Sequence, residues 1–160
     1  MAGKDKNGHG YCAIALHPFS STEERMKVTG SCHCGAIAYE AEVDPNSVRV
    51  CHCTDCQRLT GTAFRAAIAS LPATFALRRG TPKIYIKTAE SGAKRAHGFC
   101  PECGTPLYST SPEPNPRSYG LRVGGIDQRA EFGPPTCQIW CRSALPWSMN
   151  ISSIERAERG

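Results

Sequence analysis

The sequence contains no long apolar run. It never approaches the ~18 consecutive apolar residues of a transmembrane helix. The first residues also lack the apolar core of a secretory signal peptide, because 1–7 is polar and the apolar stretch 11–16 is short. We therefore expect no membrane partner and a cytoplasmic location.

Basic runs and aromatic residues are scarce as well. Aromatic side chains make up 8% of the chain, and no lysine/arginine run or basic–aromatic stripe occurs. The formal net charge of +5 counts every cysteine as a neutral thiol, and metal-bound thiolates would lower that charge. Nucleic acid is therefore not expected as a partner.

Long helical periodicity is absent too, whereas turn residues are frequent, with 15 glycines and 12 prolines. Short segments bounded by Gly, Pro or Ser predict an antiparallel all-β fold. The clearest segment is 37–43, where apolar residues alternate with Glu40 and Glu42. The predicted strands are 26–30, 37–43, 47–50, 63–69, 74–77, 83–88, 106–109, 119–123 and 138–140, with one short helix at 54–59.

The domain organisation follows from where this pattern begins. Residues 1–25 are polar and without period, so we expect a flexible lead-in there. A single folded domain is expected over 26–155, followed by a short tail at 156–160.

Seven of the ten cysteines fall into three tight clusters. Disulfide bonding does not explain them, because a chain of 160 residues can bury its own core and shows no sign of secretion. A closed structural zinc takes four thiolates, and a catalytic zinc takes three protein ligands with one open position. Four plus three accounts for every clustered cysteine: Cys32 and Cys34, then Cys51, Cys53 and Cys56, then Cys100 and Cys103.

The middle cluster is compact enough to hold an ion alone. Its fourth ligand could be His52, Asp55 or Cys137, although a residue next to a ligand usually points away from the same metal. If the position is open, its preferred guest is a thiol, because a three-thiolate zinc is soft. Zinc would hold that thiol as its thiolate at neutral pH.

The clusters and their flanking residues resemble the glutathione-dependent formaldehyde-activating (GFA) family. The resemblance covers roughly 27–150. It rests on GSCHCGAI (30–37), CHCTDCQRLTG (51–61), SG (91–92), FCPECGT (99–105), RVG (122–124), QIW (138–140) and PW (146–147).

The resemblance implies an Mss4-like β fold stapled by zinc, with two zinc ions per chain. The structural zinc would be bound by Cys32, Cys34, Cys100 and Cys103, and the catalytic zinc by Cys51, Cys53 and Cys56. The implied activity is formally a carbon–sulfur lyase run in reverse: formaldehyde as substrate and glutathione as co-substrate combine to S-hydroxymethylglutathione or a similar thiol adduct. Two alternatives stay open: a non-enzymatic zinc module that binds thiols or a protein partner, and a methionine sulfoxide reductase-like enzyme with a late nucleophilic cysteine.

Residues that could bind the guest are less clear from the sequence. Glutathione carries two carboxylates, which makes arginines candidates. Arg58 is preferred because it lies two residues beyond Cys56. His97 is a candidate proton donor, whereas His33 and His52 are expected to point away from the metal. The other arginine candidates are Arg65, Arg95 and Arg122. We expect Trp140 and Trp147 in the core and an incidental thiol at Cys12. Two buried thiols on a strand are expected at Cys137 and Cys141.

Overall fold

The protein was analysed as a computed structural model, which describes residues 3–4, 10–11, 24–89, 92–152 and 154–159. The lead-in expected over 1–25 lies largely outside these ranges, and Cys12 lies outside them entirely. Within the described ranges the fold is mostly β, with one short α-helix. None of the helices in these ranges is long and apolar enough to cross a membrane.

The strands form a small sheet, a large sheet and one short antiparallel pair. In chain order the elements are β1 (Gly3–Lys4), β2 (Gly10–Tyr11), β3 (Met26–Ser31), β4 (Ala38–Val43), β5 (Arg49–Cys51), α1 (Thr54–Thr60), β6 (Arg65–Ala69), β7 (Ala76–Arg79), β8 (Lys83–Thr88), β9 (Lys94–Phe99), β10 (Pro106–Thr110), β11 (Gly120–Arg122) and β12 (Cys137–Ile139). The small sheet has the order β3-β4-β7, and the large sheet has the order β12-β5-β6-β11-β10-β9-β8. The pair is β1 with β2.

The prediction of a mostly β fold is confirmed, and two of its details are wrong. β12 runs parallel to β5, whereas every other strand pair is antiparallel. The long connection from β11 brings the chain back to the edge of β5 in the same direction, so a parallel pair results. β9 was not predicted, because its sequence KRAHGF has no apolar alternation.

The core lies where the two sheets pack together. The alternation predicted for β4 is present: the side chains of Tyr39, Ala41 and Val43 are buried, whereas Glu40 and Glu42 on the other face are half-buried. The other core residues come from both sheets and include Val28, Ile37, Ile68, Leu107 and Leu121. An isolated bridge between Val43 and Ser70 connects one sheet to the other.

Strand register gives the large sheet a second, polar face. Ile68 is opposite Leu121, and both are buried in the core. Because side chains alternate along a strand, the residues next to them in sequence face the other way. Ala67 is therefore opposite Arg122 on that second face. Cys51 and Arg65 form another directly opposed pair on the same face.

The two tryptophans expected in the core are exposed. Trp140 is 38% exposed and Trp147 is 60% exposed. Both lie beyond β12, where short 3₁₀ turns at Cys141–Ser143 and Pro146–Met149 replace regular strands. The chain there is outside the packed sheets, and the Trp140 ring is covered instead by Arg142, whose Cζ is 4.7 Å from the ring centroid.

A glycine on β9 provides a test of this packing. A Cβ on Gly98 would overlap the ring of Tyr108, whereas a Cβ on Gly124 would meet nothing within 4 Å. We expect Gly98→Ala to lower the free energy of unfolding by about 2 kcal/mol or more, since overpacking forces strained rearrangement. Gly124→Ala should change it by less than about 1 kcal/mol. Urea denaturation measures both, and equal effects would contradict the packing described.

Candidate functional site

Two distant turns bring four cysteines together. Cys32 and Cys34 lie in the turn between β3 and β4, and Cys100 and Cys103 lie in the turn between β9 and β10. Gly35 and Gly104 adopt left-handed backbone conformations with φ of 75° and 72°, which glycine adopts at low cost. Each glycine N–H closes its turn by donating to the carbonyl of the first cysteine in the pair.

The four sulfur atoms fit a tetrahedral metal. All four lie within 4.8 Å of one another. The Sγ of Cys34 is 3.6 Å from that of Cys32 and 3.8 Å from that of Cys100. A tetrahedral zinc with bonds of about 2.3 Å separates neighbouring sulfurs by about 3.8 Å. A backbone hydrogen bond also fits metal binding, because the Ile37 N–H donates to Cys32 Sγ at 3.2 Å, as outer-shell donors to metal ligands do.

The middle cluster is built from a strand end and a helix start. Cys51 ends β5, Cys53 is the N-cap of α1, and Cys56 lies in the first turn of that helix. The Cys53 sulfur accepts the Cys56 backbone N–H at 3.4 Å, which fixes the helix start. The three sulfurs lie within 4.8 Å of one another.

In the part of the chain that the structure describes, this cluster has no fourth protein ligand. Among the described residues, no His, Cys, Asp or Glu joins the three cysteines within 4.8 Å. The residues considered as a fourth ligand are engaged elsewhere. His52 is buried and its Nε2 is 2.9 Å from Gln138 Oε1, and Asp55 forms an ion pair with Lys87. Cys137 is buried on β12 and does not border the cavity described below.

The sulfurs of this cluster interact with one another. A hydrogen bond with Cys56 lowers the pKa of the Cys51 thiol, and the same bond, reinforced by burial, raises the pKa of the Cys56 thiol. The arrangement therefore favours a thiolate beside thiols that retain their protons. A divalent cation can replace such protons, because metals bind sulfur in the thiolate form.

A cavity opens beside two of these cysteines on the polar face of the large sheet. Its volume is about 340 Å³, and its wall includes Cys51 and Cys56. The remaining wall combines small residues such as Ala67 and Gly120 with basic residues. The basic residues are Arg49, Arg65, Lys87, Arg95, His97 and Arg122, and the described lining contains no Asp or Glu.

Two of the arginines are buried despite their charge. Arg65 and Arg122 are each 6% exposed, and His97 is 8% exposed. Arg122 Nη2 lies 3.2 Å from His97 Nδ1. A guanidinium can only donate, so Nδ1 is the acceptor and the proton of the neutral ring is on Nε2. Burial, together with the charges of Arg122 and Arg65, lowers the pKa of His97 to about 4.

Comparison with known proteins identifies the family. The family model described as "Glutathione-dependent formaldehyde-activating enzyme" matches residues 27–143. The chain belongs to the GFA family. This match includes the middle cluster and both turns of the four-cysteine cluster, and it gives no support to the methionine sulfoxide reductase alternative.

A solved structure shares the fold of this GFA-family chain. It is the crystal structure of a Rhodobacter sphaeroides protein, determined as a structural genomics target, with a TM-score of 0.53. The two sequences are 24% identical, and the match covers 69% of this chain and 98% of that one. At this identity the likeness shows the fold alone.

The structure separates the candidate guest-binding residues of the GFA-family site. Arg65, Arg95 and Arg122 border the cavity, whereas Arg58 is exposed on α1 and does not. His97 also borders the cavity, but as a neutral imidazole it offers an Nε2–H donor and is not a strong acid. Two buried thiols were expected at Cys137 and Cys141: Cys137 is buried on β12 but is not among the free cysteines, and Cys141 is exposed on a 3₁₀ turn.

Two cavity residues, Arg49 and Lys87, were missed by sequence reasoning. A signal existed for one of them. Arg49 is two residues before Cys51 on β5, so period-two reading from that cysteine would have placed it on the face of the cluster. Lys87 lies on β8, which has no cysteine, and its position follows from its register with Arg95 on β9.

The ionisation of His97 can be measured. Its ring faces Arg122, Arg65 and Lys87, and Asp55 opposes them only weakly. In an NMR titration we expect its ring signal to have a midpoint near pH 4, below the ~6.5 of an unperturbed histidine. Since the unfolded chain then takes up the proton first, the contribution of His97 to stability falls as pH drops from about 6.5 towards 4.

The variant Arg122→Gln should raise the His97 midpoint, because it removes a nearby positive charge. An unshifted midpoint near 6.5 in the unmodified protein would contradict the buried, cation-facing position of this ring.

Proposed function

We propose that this protein is a zinc-dependent carbon–sulfur lyase of the GFA type. Its substrate would be S-hydroxymethylglutathione or a similar thiol adduct, which is cleaved to glutathione and formaldehyde; in the direction of synthesis, formaldehyde is the substrate and glutathione the co-substrate. The observation that carries the proposal is the three-cysteine cluster, which borders a cavity and includes no fourth ligand among the described residues.

The two cysteine clusters have different proposed roles. Cys32, Cys34, Cys100 and Cys103 hold a structural zinc, which closes the contact between two distant turns of an Mss4-like fold. Cys51, Cys53 and Cys56 hold a second zinc at the cavity. A cytoplasmic location is part of this proposal, since seven cysteines gathered into two possible metal clusters are typical of a reducing environment.

The proposed reaction takes place where the three-cysteine cluster borders the cavity. When bound, a zinc ion supplies a position that holds a guest thiol as its thiolate. In the synthetic direction a bond forms between the sulfur of that thiol and the carbonyl carbon, and the carbonyl oxygen takes up a proton. The lyase direction breaks the same bond and returns its electron pair to sulfur, while the hydroxyl oxygen releases its proton as the carbonyl forms again. The cavity walls hold the adduct against Cys51 and Cys56 and limit access of water.

Metal content tests the two roles. We expect two zinc ions per chain by plasma mass spectrometry. Cys53→Ser should retain about one zinc ion and a folded circular dichroism spectrum. Cys100→Ser should lose the other ion and much of the stability, since structural zinc contributes on the order of 10 kcal/mol in small zinc domains. The control Cys141→Ser removes an exposed thiol outside both clusters and should keep both ions.

A Cys53→Ser protein that unfolds as completely as Cys100→Ser would contradict an independent catalytic site. Two ions that both resist glutathione and chelators would contradict it as well.

Turnover is measured against the spontaneous reaction. Exchange NMR on a mixture of glutathione and formaldehyde gives the rate of adduct formation and breakdown at equilibrium. We expect the protein to increase this rate, Cys53→Ser to return it to the uncatalysed value, and Cys141→Ser to match the unmodified protein. An unchanged rate with fully zinc-loaded protein would reject the lyase.

One observation favours the non-enzymatic alternative, a zinc module that binds a protein partner. Large apolar side chains are exposed beyond β12: Trp140, Leu145, Trp147, Met149, Ile151 and Ile154. Exposed apolar patches often mark interaction sites. A zinc-loaded protein without turnover would favour this alternative.

A further inference from the structure

The cavity wall contains an unusual set of buried donors without acceptors. Nε and Nη2 of Arg65, Nε of Arg122 and Nε2 of His97 are all buried and have no hydrogen-bond partner among the described residues. The guanidinium atoms can only donate, and the His97 nitrogen is also a donor, because its ring accepts from Arg122 at the other nitrogen. Every unfilled position in this group therefore requires an acceptor.

Neighbouring protein groups do not supply that acceptor. The three cysteine sulfurs accept no hydrogen bond from these N–H groups. The described cavity lining contains no carboxylate, and the nearby Asp55 is already paired with Lys87. The same three basic side chains also border a second cavity of about 300 Å³, so open space lies next to them there as well.

We propose that Arg65, Arg122 and His97 bind a carboxylate group of the molecule whose thiol or carbonyl part reacts at the three-cysteine cluster. This inference deepens the proposed lyase function and rests on it for the identity of the reacting groups. Two guanidinium groups with an additional ring N–H match the oxygens of one carboxylate, which accepts several charge-assisted hydrogen bonds. Formaldehyde alone has no such group and leaves these donors unfilled.

Strand register sets the distance between the carboxylate and the reacting sulfur. Arg65 is directly opposite Cys51 in the β5–β6 pair, and opposed side chains on one face have Cβ atoms about 4.5–5.5 Å apart. Because the guanidinium group extends several ångströms beyond the Cβ of Arg65, one small molecule can place its carboxylate at Arg65 and its reactive atom at the three-cysteine cluster. The carboxylate belongs either to the thiol, as in glutathione, or to an acid-bearing aldehyde such as glyoxylate.

Binding of acetate to the zinc-loaded protein tests the site without turnover. We expect acetate to shift the NMR signals of His97 in a saturable manner at constant ionic strength, whereas acetamide, its neutral counterpart, does not. Arg122→Gln should weaken acetate binding by at least about tenfold, since it removes a charge-assisted partner. Arg117→Gln, an exposed arginine that lines neither cavity, should bind acetate like the unmodified protein.

A second pair of variants covers the case in which Arg122→Gln does not fold. Ala67 is opposite Arg122 on the same face and two residues from Arg65. Ala67→Asp places a carboxylate at the donors, whereas Ala67→Asn places a neutral amide of nearly the same shape there. We expect the aspartate variant to melt several degrees higher than the asparagine variant and to lose the acetate response. Equal melting temperatures would overturn the proposal.

Competition identifies the source of the carboxylate. If the thiol supplies it, glutathione displaces acetate and glutathione diethyl ester does not. If the carbonyl compound supplies it, glyoxylate displaces acetate while glutathione and acetate bind together. Either result supports the carboxylate site and names the partner that carries it.

The site and the lyase can fail separately. The absence of acetate binding, or equal responses to acetate and acetamide, overturns the carboxylate site whatever the exchange rate. Specific acetate binding by a zinc-loaded protein that does not accelerate adduct exchange leaves the carboxylate site in place and rejects the lyase.

Discussion

The four-cysteine cluster joins the two sheets at their ends, and the rest of the site depends on that junction. One cysteine pair lies in the turn that follows β3 of the small sheet, and the other lies in the turn after β9 of the large sheet. The pairs are more than sixty residues apart in sequence, so without a shared metal their turns would have to be held by packing alone. Metal binding in such a cluster contributes directly to folding free energy. Because β9 enters this junction, the position of His97, three residues before Cys100, is set by it.

Buried charge on the polar face of the large sheet has a cost that the core must offset. Burying a donor that has no protein partner is unfavourable, and the group formed by Arg65, Arg122 and His97 contains several donors with no partner among the described residues. Burial and the neighbouring Arg65 lower the pKa of Arg122 to about 9, which shows how unfavourable its charge is there. A fold under selection for stability alone would place apolar residues at these positions. Unsatisfied donors beside a thiol cluster are therefore more consistent with a bound guest than with a structural role.

The sequence predicts those features that depend on local spacing. The cysteine clusters are recognisable because metal ligands on one turn must be close in sequence, and β4 is recognisable because its buried residues alternate without interruption. β9 is not, since Gly98 and the basic residues of that strand replace the apolar alternation. Arg58 was preferred for its nearness to Cys56 in sequence, but nearness on a helix does not bring a side chain to the cavity. Arg65 and Arg122 reach it through cross-strand register, which pairs residues far apart in the chain.

The charges of the cavity indicate why the thiols and the basic residues share one face. Three thiolates with a divalent ion carry one negative charge, and a guest thiolate and a guest carboxylate would bring the total to three. Four basic side chains of the wall lack a carboxylate partner among the described residues: Arg49, Arg65, Arg95 and Arg122. The two buried arginines act at close range, where water screens little, whereas the exposed Arg49 and Arg95 act from the rim. Without this positive face, each added anion would repel the thiolates already present. With it, the cluster can hold its metal and accept an anionic guest at the same time.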